Sequence, residues 1–170
     1  MSLPTDAELN AIGVLKRRLI EARVVAPLIK AMAAEFGEER VHDIARAIFT
    51  ELARAQGAEL AKVSGGNSLP VLHGTLDRWT ADDALTLEVL EVGDACLDFN
   101  VTRCRYAEMY RELGIPELGA ILSCNRDGAL IEGFNPDVDL RRTQTLMQGA
   151  SHCDFRYARR PALGGEPAAP

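Results

Sequence analysis

The sequence predicts an α+β fold in which a helical N-terminal half packs on an antiparallel sheet of about four strands. Two observations support this prediction. Apolar residues recur at a spacing of three to four through the first third of the chain, which is typical of helices. The segment ALTLEVLEV instead alternates between apolar and polar residues and is rich in residues that favour strands.

The N-terminal helical region divides into two predicted helices. The first ends before Gly37, and Pro27 is expected to kink or divide it because proline lacks the N–H that a helix interior uses. The second covers about Glu38 to Lys62. Its expected core stripe consists of Val41, Ile44, Ala45, Ile48 and Leu52. Both helices are interpreted as scaffold.

A β-hairpin is predicted after the polar and glycine-rich segment VSGGNSLP. The residues GD supply a turn between ALTLEVLEV and a second alternating run, Ala95–Thr102. Because side chains alternate with a period of two, Leu97 and Phe99 share one face of the second strand, and Asp98 and Asn100 share the other.

The remaining elements complete the predicted fold. RYAEMYRELG indicates a short helix that ends at Gly114, and IPELGAILSCNRDG indicates another with Pro116 in its first turn. VDLRRTQTLMQG and HCDFRYAR are interpreted as two closing strands, antiparallel around Gly149. Residues 1–160 are therefore expected to form a single domain, and residues 161–170 a disordered tail.

Composition and charge restrict the function. The chain of 170 residues is 47% hydrophobic and 26% charged, as in ordinary globular proteins. A net charge of -6 argues against nucleic acid or an anionic membrane as partner. No apolar run approaches the ~18 residues of a membrane span, and the N-terminus lacks a secretory signal. We expect a cytoplasmic protein with a small-molecule substrate, and self-association into a homo-oligomer is left open.

The four cysteines are Cys96, Cys104, Cys124 and Cys153. Their spacing contains no CxxC motif, which excludes a zinc ribbon. In a reducing compartment such residues are buried small hydrophobes, reactive thiols or scattered metal ligands.

The segment DFNVTRCRYAE is the first of three polar clusters that could carry chemistry. Asn100 lies on the polar face of the strand, Arg103 follows at the junction with the next helix, and Glu108 lies one helical turn beyond Cys104. An arginine here could clamp a carboxylate with two hydrogen bonds. The alternative is a solvated outer face, which is common in antiparallel sheets.

The second cluster is SCNRDG, in which Cys124 and Asp127 are three residues apart. A continuing helix would bring them to the same side. They could form a nucleophile with its acid/base partner, or half of a metal site. Alternatively, Asp127 caps the helix that follows and Cys124 packs beneath it.

The third cluster is GASHCDFRY, Gly149 to Tyr157. Strand alternation places Cys153 on the face of Phe155, and places His152 on the opposite face with Asp154. His152 and Asp154 could pair as a base and its orienting group, but the three adjacent polar residues cannot act together from one regular strand.

Several segments in order resemble L-2-amino-thiazoline-4-carboxylic acid hydrolases. They are RCRYAEMYRELG, CNRD, FNP, RTQTLMQG and HCDFRY, and they lie between about Asp98 and Tyr157. The resemblance implies hydrolytic opening of a cyclic amidine/thioether ring such as 2-aminothiazoline-4-carboxylate to an N-carbamoyl amino acid. The enzyme class implied is a hydrolase that acts on carbon–nitrogen bonds of cyclic amidines.

The implied chemistry assigns roles to residue types within these segments. Water or a cysteine thiolate would attack the ring carbon, a carboxylate would activate the water, and an arginine would hold the substrate carboxylate. The candidate catalytic residues are Cys124, Asp127, Cys153 and Asp154. The candidate substrate-binding residues are Asn100, Arg103, Glu108 and Arg142.

A second resemblance gives an alternative function. The ending GASHCDFRY is similar to the Gly-x-x-x-Cys-x-Phe close of small-molecule-binding domains related to 4-vinyl reductase. This reading implies a non-catalytic domain in which Cys153 faces a ligand or a metal. No cofactor is assigned with certainty, but a divalent metal is a candidate, since thiolate and imidazole would select zinc or iron.

Overall fold

The computed structural model describes residues 6–160, and the predicted tail at 161–170 lies outside them. The helices of the N-terminal half are α1 (Asp6–Leu9), α2 (Val14–Phe36), α3 (Glu38–Val63), α4 (Leu69–Gly74) and α5 (Asp77–Thr80). The elements that follow are β1 (Leu85–Val92), β2 (Cys96–Cys104), α6 (Arg105–Glu112), α7 (Pro116–Gly119), α8 (Arg126–Phe134), β3 (Val138–Arg141) and β4 (Cys153–Arg159). A π-helical turn, Ala120–Cys124, joins α7 to α8. Short 3-10 turns cover Asn10–Ile12, Ala81–Asp83 and Leu146–Gln148. The predicted α+β class is confirmed.

The sheet has the order β1-β2-β4-β3, and all its neighbouring strands are antiparallel. The hairpin of β1 and β2 forms as predicted. Phe99 of β2 pairs with Phe155 of β4, and their rings stack with centroids 4.9 Å apart. The closing strand β4 is therefore central in the sheet.

The first of the two closing strands is shorter than predicted. β3 ends at Arg141, and the chain then runs irregularly to the 3-10 turn at Leu146–Gln148. The physical reason is that the backbone N–H groups of Thr143 and Gln144 donate to the carboxylate of Asp154 instead of to a strand. The hydrogen bonds that a longer β3 would need are taken by this side chain.

The inner face of the sheet forms one hydrophobic core with the helices. Leu97, Phe99 and Val101 of β2 are buried against Ile131 and Phe134 of α8. This confirms the face that the alternation in β2 predicts. A second core cluster lies among α2, α3, α6 and α7.

Helices α3 and α8 cross at two glycines. A Cβ atom on Gly57 would lie 2.0 Å from the carbonyl oxygen of Leu130, and one on Gly133 would lie 1.9 Å from that of Arg54. Only glycine allows the two backbones to approach this closely. The crossing therefore fixes how deeply α8 sits beneath the sheet.

Two expectations for the N-terminal helices are wrong. Helix α2 is not divided at Pro27, which lies on its exposed side, where a carbonyl freed by proline can be hydrated. In the predicted stripe of α3, Val41 and Ala45 are buried, but Ile44, Ile48 and Leu52 are exposed. The reason is that the buried face of α3 runs through Val41, Ala45, Ala53, Gly57 and Leu60, which leaves the other three residues to one side of it.

None of the helices within residues 6–160 is both long enough and apolar enough to cross a bilayer.

Candidate functional site

A cavity of about 100 Å³ lies where the inner face of the sheet meets α2 and α8. Strands β2 and β4 contribute Val101 and Phe155 to its wall, and α2 contributes Val14. Since a cavity of about 150 Å³ can hold benzene, this space is on the scale of one small ring. The polar residues around it are Arg18, Ser123, Cys124, Arg126, Asp127 and Arg142.

The π-helical turn carries Cys124 into the wall of this cavity. Its wider ring is closed by a hydrogen bond of 2.8 Å from the N–H of Asn125 to the carbonyl oxygen of Ala120, five residues earlier. Cys124 ends the turn, and Asp127 follows in the first turn of α8. Both side chains border the cavity, as their spacing predicts. Single π-helical turns of this kind are frequent at functional sites.

Asp127 and Arg142 form an ion pair in the cavity wall. Arg142 also donates to the carbonyl oxygen of Cys124 at 3.0 Å, and its guanidinium lies 5.1 Å from the centre of the Phe155 ring. Burial raises the pKa of Asp127, although the attraction of Arg142 acts in the opposite direction. A raised pKa brings the protonated and ionised forms of the carboxyl group closer in free energy, which general acid/base chemistry can use.

Arg126 is a second guanidinium at the cavity, and only 6% of the residue is exposed. It donates to the side-chain oxygen of Gln56 at 2.6 Å and lies over the ring of Phe49 at 5.7 Å. Burial, followed by repulsion from Arg18, lowers its pKa to about 10. Among the described residues, no carboxylate is within ion-pair distance of Arg126, although the charge of Glu21 attracts it from farther away.

Arg18 adds further positive charge to the same cavity. It donates to Glu21 at 2.5 Å and is buried despite its charge. The sequence interpretation missed Arg18 and Arg126. The available signal was position, because Arg18 stands four residues from both Val14 and Ala22 on the buried side of α2.

Three cysteines, Cys104, Cys124 and Cys153, border the cavity. Burial raises the pKa of all three thiols and brings that of Cys104 to about 11. Repulsion from Asp127 raises the pKa of Cys124 further, whereas the N–H of Leu146, 3.2 Å from the sulfur of Cys153, acts against the rise there. The thiols are therefore protonated at neutral pH.

The three candidate binding residues of the first polar cluster, Asn100, Arg103 and Glu108, do not line the cavity. Arg103 and Glu108 pair with each other at 2.9 Å on the exposed surface. Asn100 donates to Glu88 at 3.0 Å and accepts from Arg156 at 2.8 Å. The contacts of Asn100 lie on the polar face of β2, as in the solvated-face interpretation of this cluster, and the Arg103–Glu108 pair is separate from them.

Asp154 also lies away from the cavity. Its carboxylate accepts hydrogen bonds from the N–H and the hydroxyl of Thr143, at 2.9 and 2.6 Å, and from the N–H of Gln144 at 2.9 Å. Burial acts to raise the pKa of Asp154, but the bonds from Thr143 and Gln144 outweigh it and lower the pKa to about 2. Asp154 holds the segment after β3, while its neighbour Cys153 borders the cavity.

The structure therefore brings together four of the eight predicted site residues. Cys124, Asp127, Cys153 and Arg142 meet at one cavity. Within residues 6–160, no group of three or more His, Cys, Asp or Glu side chains is arranged to hold a metal ion.

Solved structures resemble the chain, and they include the following two. The phenol-responsive sensory domain of the transcription activator PoxR, solved with phenol, aligns with a TM-score of 0.49 and 16% identity over 94% of this chain and 76% of its own. Trafficking protein particle complex subunit 3 from Naegleria fowleri, covalently bound to palmitic acid, aligns with a TM-score of 0.52 and 9% identity over 88% of this chain and 98% of its own. The second likeness is one of fold.

Sequence comparison identifies the family. No curated protein matches the chain. The family model of L-2-amino-thiazoline-4-carboxylic acid hydrolase matches residues 17–157, which include the cavity residues from Arg18 to Phe155. Its name suggests a hydrolase. The chain thus belongs to the L-2-amino-thiazoline-4-carboxylic acid hydrolase family.

Proposed function

We propose that the protein hydrolyses a small cyclic amidine/thioether ring that bears a carboxylate, such as 2-aminothiazoline-4-carboxylate, to an N-carbamoyl amino acid. The observation that carries the proposal is the Asp127–Arg142 pair in a cavity of about 100 Å³. Family membership supports the reaction class.

Arg126 is the proposed clamp for the substrate carboxylate. Arg142 is already paired with Asp127, and Arg18 with Glu21, whereas the contacts of Arg126 are to uncharged groups. A buried guanidinium with no carboxylate at hydrogen-bond distance gains a charge-assisted hydrogen bond when an anion binds. The clamp expected from the sequence was Arg103 or Arg142, and the exposure of Arg103 favours Arg126 in that role.

Water is the proposed nucleophile, and Asp127 is its base. The raised thiol pKa values disfavour attack by Cys124 or Cys153, because the thiolate is the reactive form. Asp127 has a carboxyl pKa raised by burial and borders the same space. In its ionised form it can accept a proton from a water molecule beside the bound ring.

In the proposed reaction, water adds to the ring and the ring then opens. The water oxygen bonds to the ring carbon that is flanked by sulfur and nitrogen, and Asp127 relays one water proton to the ring nitrogen. The carbon–sulfur bond then breaks, and its electron pair goes to sulfur. The remaining hydroxyl becomes the carbonyl of the N-carbamoyl group as its proton passes through Asp127 to the thiolate. The product is the substrate plus one water.

The direct test is to incubate the purified chain with 2-aminothiazoline-4-carboxylate and to follow N-carbamoyl-cysteine by mass spectrometry. We expect turnover by the wild type and by Cys124→Ser. Loss of turnover in Cys124→Ser, together with a covalent adduct on Cys124 of the wild type, would replace water by the thiol as nucleophile. Lack of turnover of any cyclic amidine by the wild type would overturn the proposal.

A ligand-binding domain without catalysis is the second candidate. The neutral thiols and the apolar part of the cavity wall favour it. The similarly folded trafficking subunit is described as covalently bound to palmitic acid. The result expected for this candidate is a small molecule that survives purification and an absence of turnover. Elemental analysis of the same sample tests for a bound divalent metal.

A further inference from the structure

A second cavity of about 80 Å³ adjoins the first beneath the sheet. The two share six residues along their border, which are Trp79, Leu85, Val101, Asp127, Leu130 and Phe155. The second cavity, here called the annex, is further lined by Leu72, Leu76, Thr80, Leu87, Phe99 and Tyr157. A molecule beside Asp127 therefore borders the annex as well.

The annex differs from the first cavity in chemistry. The arginines and cysteines of the first cavity do not line the annex, where leucines and aromatic rings from α4, β1, β2 and β4 predominate. Apart from Asp127 at the shared border, it contains no charged side chain. An apolar group is favoured in such a space, since apolar surface gains free energy on leaving water.

Tyr157 gives the annex one polar feature. Only 7% of the residue is exposed, and burial raises the pKa of its phenol, which is therefore neutral. Among the residues that the structure describes, none forms a hydrogen bond with its hydroxyl. The hydroxyl is not among the buried unpaired polar atoms of the described residues, so its oxygen is accessible although the ring is buried. It can donate to an acceptor on a bound molecule.

We propose that the annex binds an aryl or branched alkyl substituent on the substrate ring, with a hydrogen-bond acceptor near its end that meets Tyr157. This inference rests on the proposed function, because it places the carboxylated ring in the first cavity. The substrate class is then a ring-substituted cyclic amidine carboxylate, larger than 2-aminothiazoline-4-carboxylate itself.

The test compares three probes, namely 2-aminothiazoline-4-carboxylate and its 5-phenyl and 5-(4-methoxyphenyl) derivatives. For the wild type we expect kcat/KM to be at least about tenfold higher for both derivatives than for the parent, as burial of several carbons allows. Leu76→Phe, which fills the annex, should remove this advantage and leave the parent unchanged. Tyr157→Phe should weaken only the methoxyphenyl probe, about fivefold, as loss of one hydrogen bond predicts.

The possible results distinguish a failure of the annex proposal from a failure of the proposed hydrolysis. Equal or lower kcat/KM for the derivatives, or an equal effect of Leu76→Phe on all three probes, would overturn the annex proposal. If no probe is hydrolysed, the proposed function fails, and calorimetric binding of the same probes still tests the annex. Tighter binding of the derivatives that is lost in Leu76→Phe would then support it, and equal binding would refute it.

Discussion

Two arginine–carboxylate pairs of this protein have the same chemistry, but the arginine of one is far more enclosed than the arginine of the other. Arg142 and Asp127 pair at the cavity, with 17% and 35% of their side chains exposed. Arg103 and Glu108 pair at the sheet rim, with 55% and 39% exposed. The pKa of Asp127 is raised by burial, whereas the hydrogen bond from Arg103 lowers the pKa of Glu108.

This difference indicates that burial determines whether the carboxyl group of such a pair can act as an acid or a base. In the exposed pair, water screens both charges and the carboxylate stays ionised, so that the pair contributes little beyond local order. In the cavity, burial brings the protonated and ionised forms of Asp127 closer in free energy. The same residue types thus give a surface contact in one place and a candidate acid/base group in the other.

Removal of the Asp127 carboxylate should have the largest effect. We expect Asp127→Asn to lower kcat by about 10³, the scale of a lost general base. Glu108→Gln is the matched control at the exposed pair, and its kcat should stay within about twofold of wild type. In the wild type, kcat/KM should fall as the pH falls through the raised pKa of Asp127, because the base must be ionised. Similar losses in the two variants would contradict the contrast.

The helix crossing that positions the buried pair can be broken without touching either charge. In Gly133→Ala the new methyl group would lie 1.9 Å from the carbonyl oxygen of Arg54, and both helices would have to move. We expect the free energy of unfolding, measured in urea, to fall by about 3 kcal/mol. Gly128→Ala in the same helix meets nothing within 4 Å and should be neutral or slightly stabilising. If both variants had the same free energy of unfolding, the close helix crossing would not contribute to stability.

Substitution of Arg126 should affect substrate binding and leave proton transfer unchanged. Arg126→Gln should raise the KM for 2-aminothiazoline-4-carboxylate by about thirtyfold, as loss of a charge-assisted hydrogen bond predicts, with a small change in kcat. For 2-aminothiazoline, which lacks the carboxylate, KM should not change. Arg103→Gln is the exposed control. A KM that rises equally for both substrates in Arg126→Gln would contradict a carboxylate clamp.

Asp154 tests a third environment, a carboxylate held by hydrogen bonds on the outer face. Its folded pKa of about 2 lies below the ordinary value of 3.8, so it stabilises the fold above about pH 4, and this stabilisation is lost as the pH falls towards 2. Asp154→Asn should therefore lower the free energy of unfolding by about 1 kcal/mol at pH 7 and leave it nearly unchanged near pH 2. Urea titrations at both pH values measure this. A deficit that persists unchanged at low pH would show that charge is not its origin.

The exposed pair should give the smallest effect. Arg103→Ala is expected to change the free energy of unfolding by less than about 0.5 kcal/mol, and less still at high salt, because exposed ion pairs are screened. A double-mutant cycle with Glu108→Ala measures the coupling directly. A coupling free energy above about 1 kcal/mol would contradict this expectation, because exposed ion pairs contribute less than that.

Local sequence patterns predict which face of an element a residue occupies, and they do not predict what covers that face. Alternation placed Cys153 inside, and a spacing of three placed Cys124 beside Asp127. The same reasoning placed Asn100 on the polar face of β2, but only the assembled sheet shows that this face is open. Arg126 and Arg18 join the cavity from helices distant in sequence, and no local pattern links them.

The π-helical turn makes the site depend on the number of residues as well as their identity. The hydrogen bond from Asn125 to Ala120 spans one residue more than an α-helical turn does. Deletion of one residue between Ala120 and Cys124 would let the same two groups bond across an ordinary α-helical turn, so that Asp127 and Gly133 would keep their faces while the widened segment that carries Cys124 would close. A deletion inside α8 before Gly133, where no extra residue is held, would instead rotate the residues after it by about 100° and turn Gly133 away from α3.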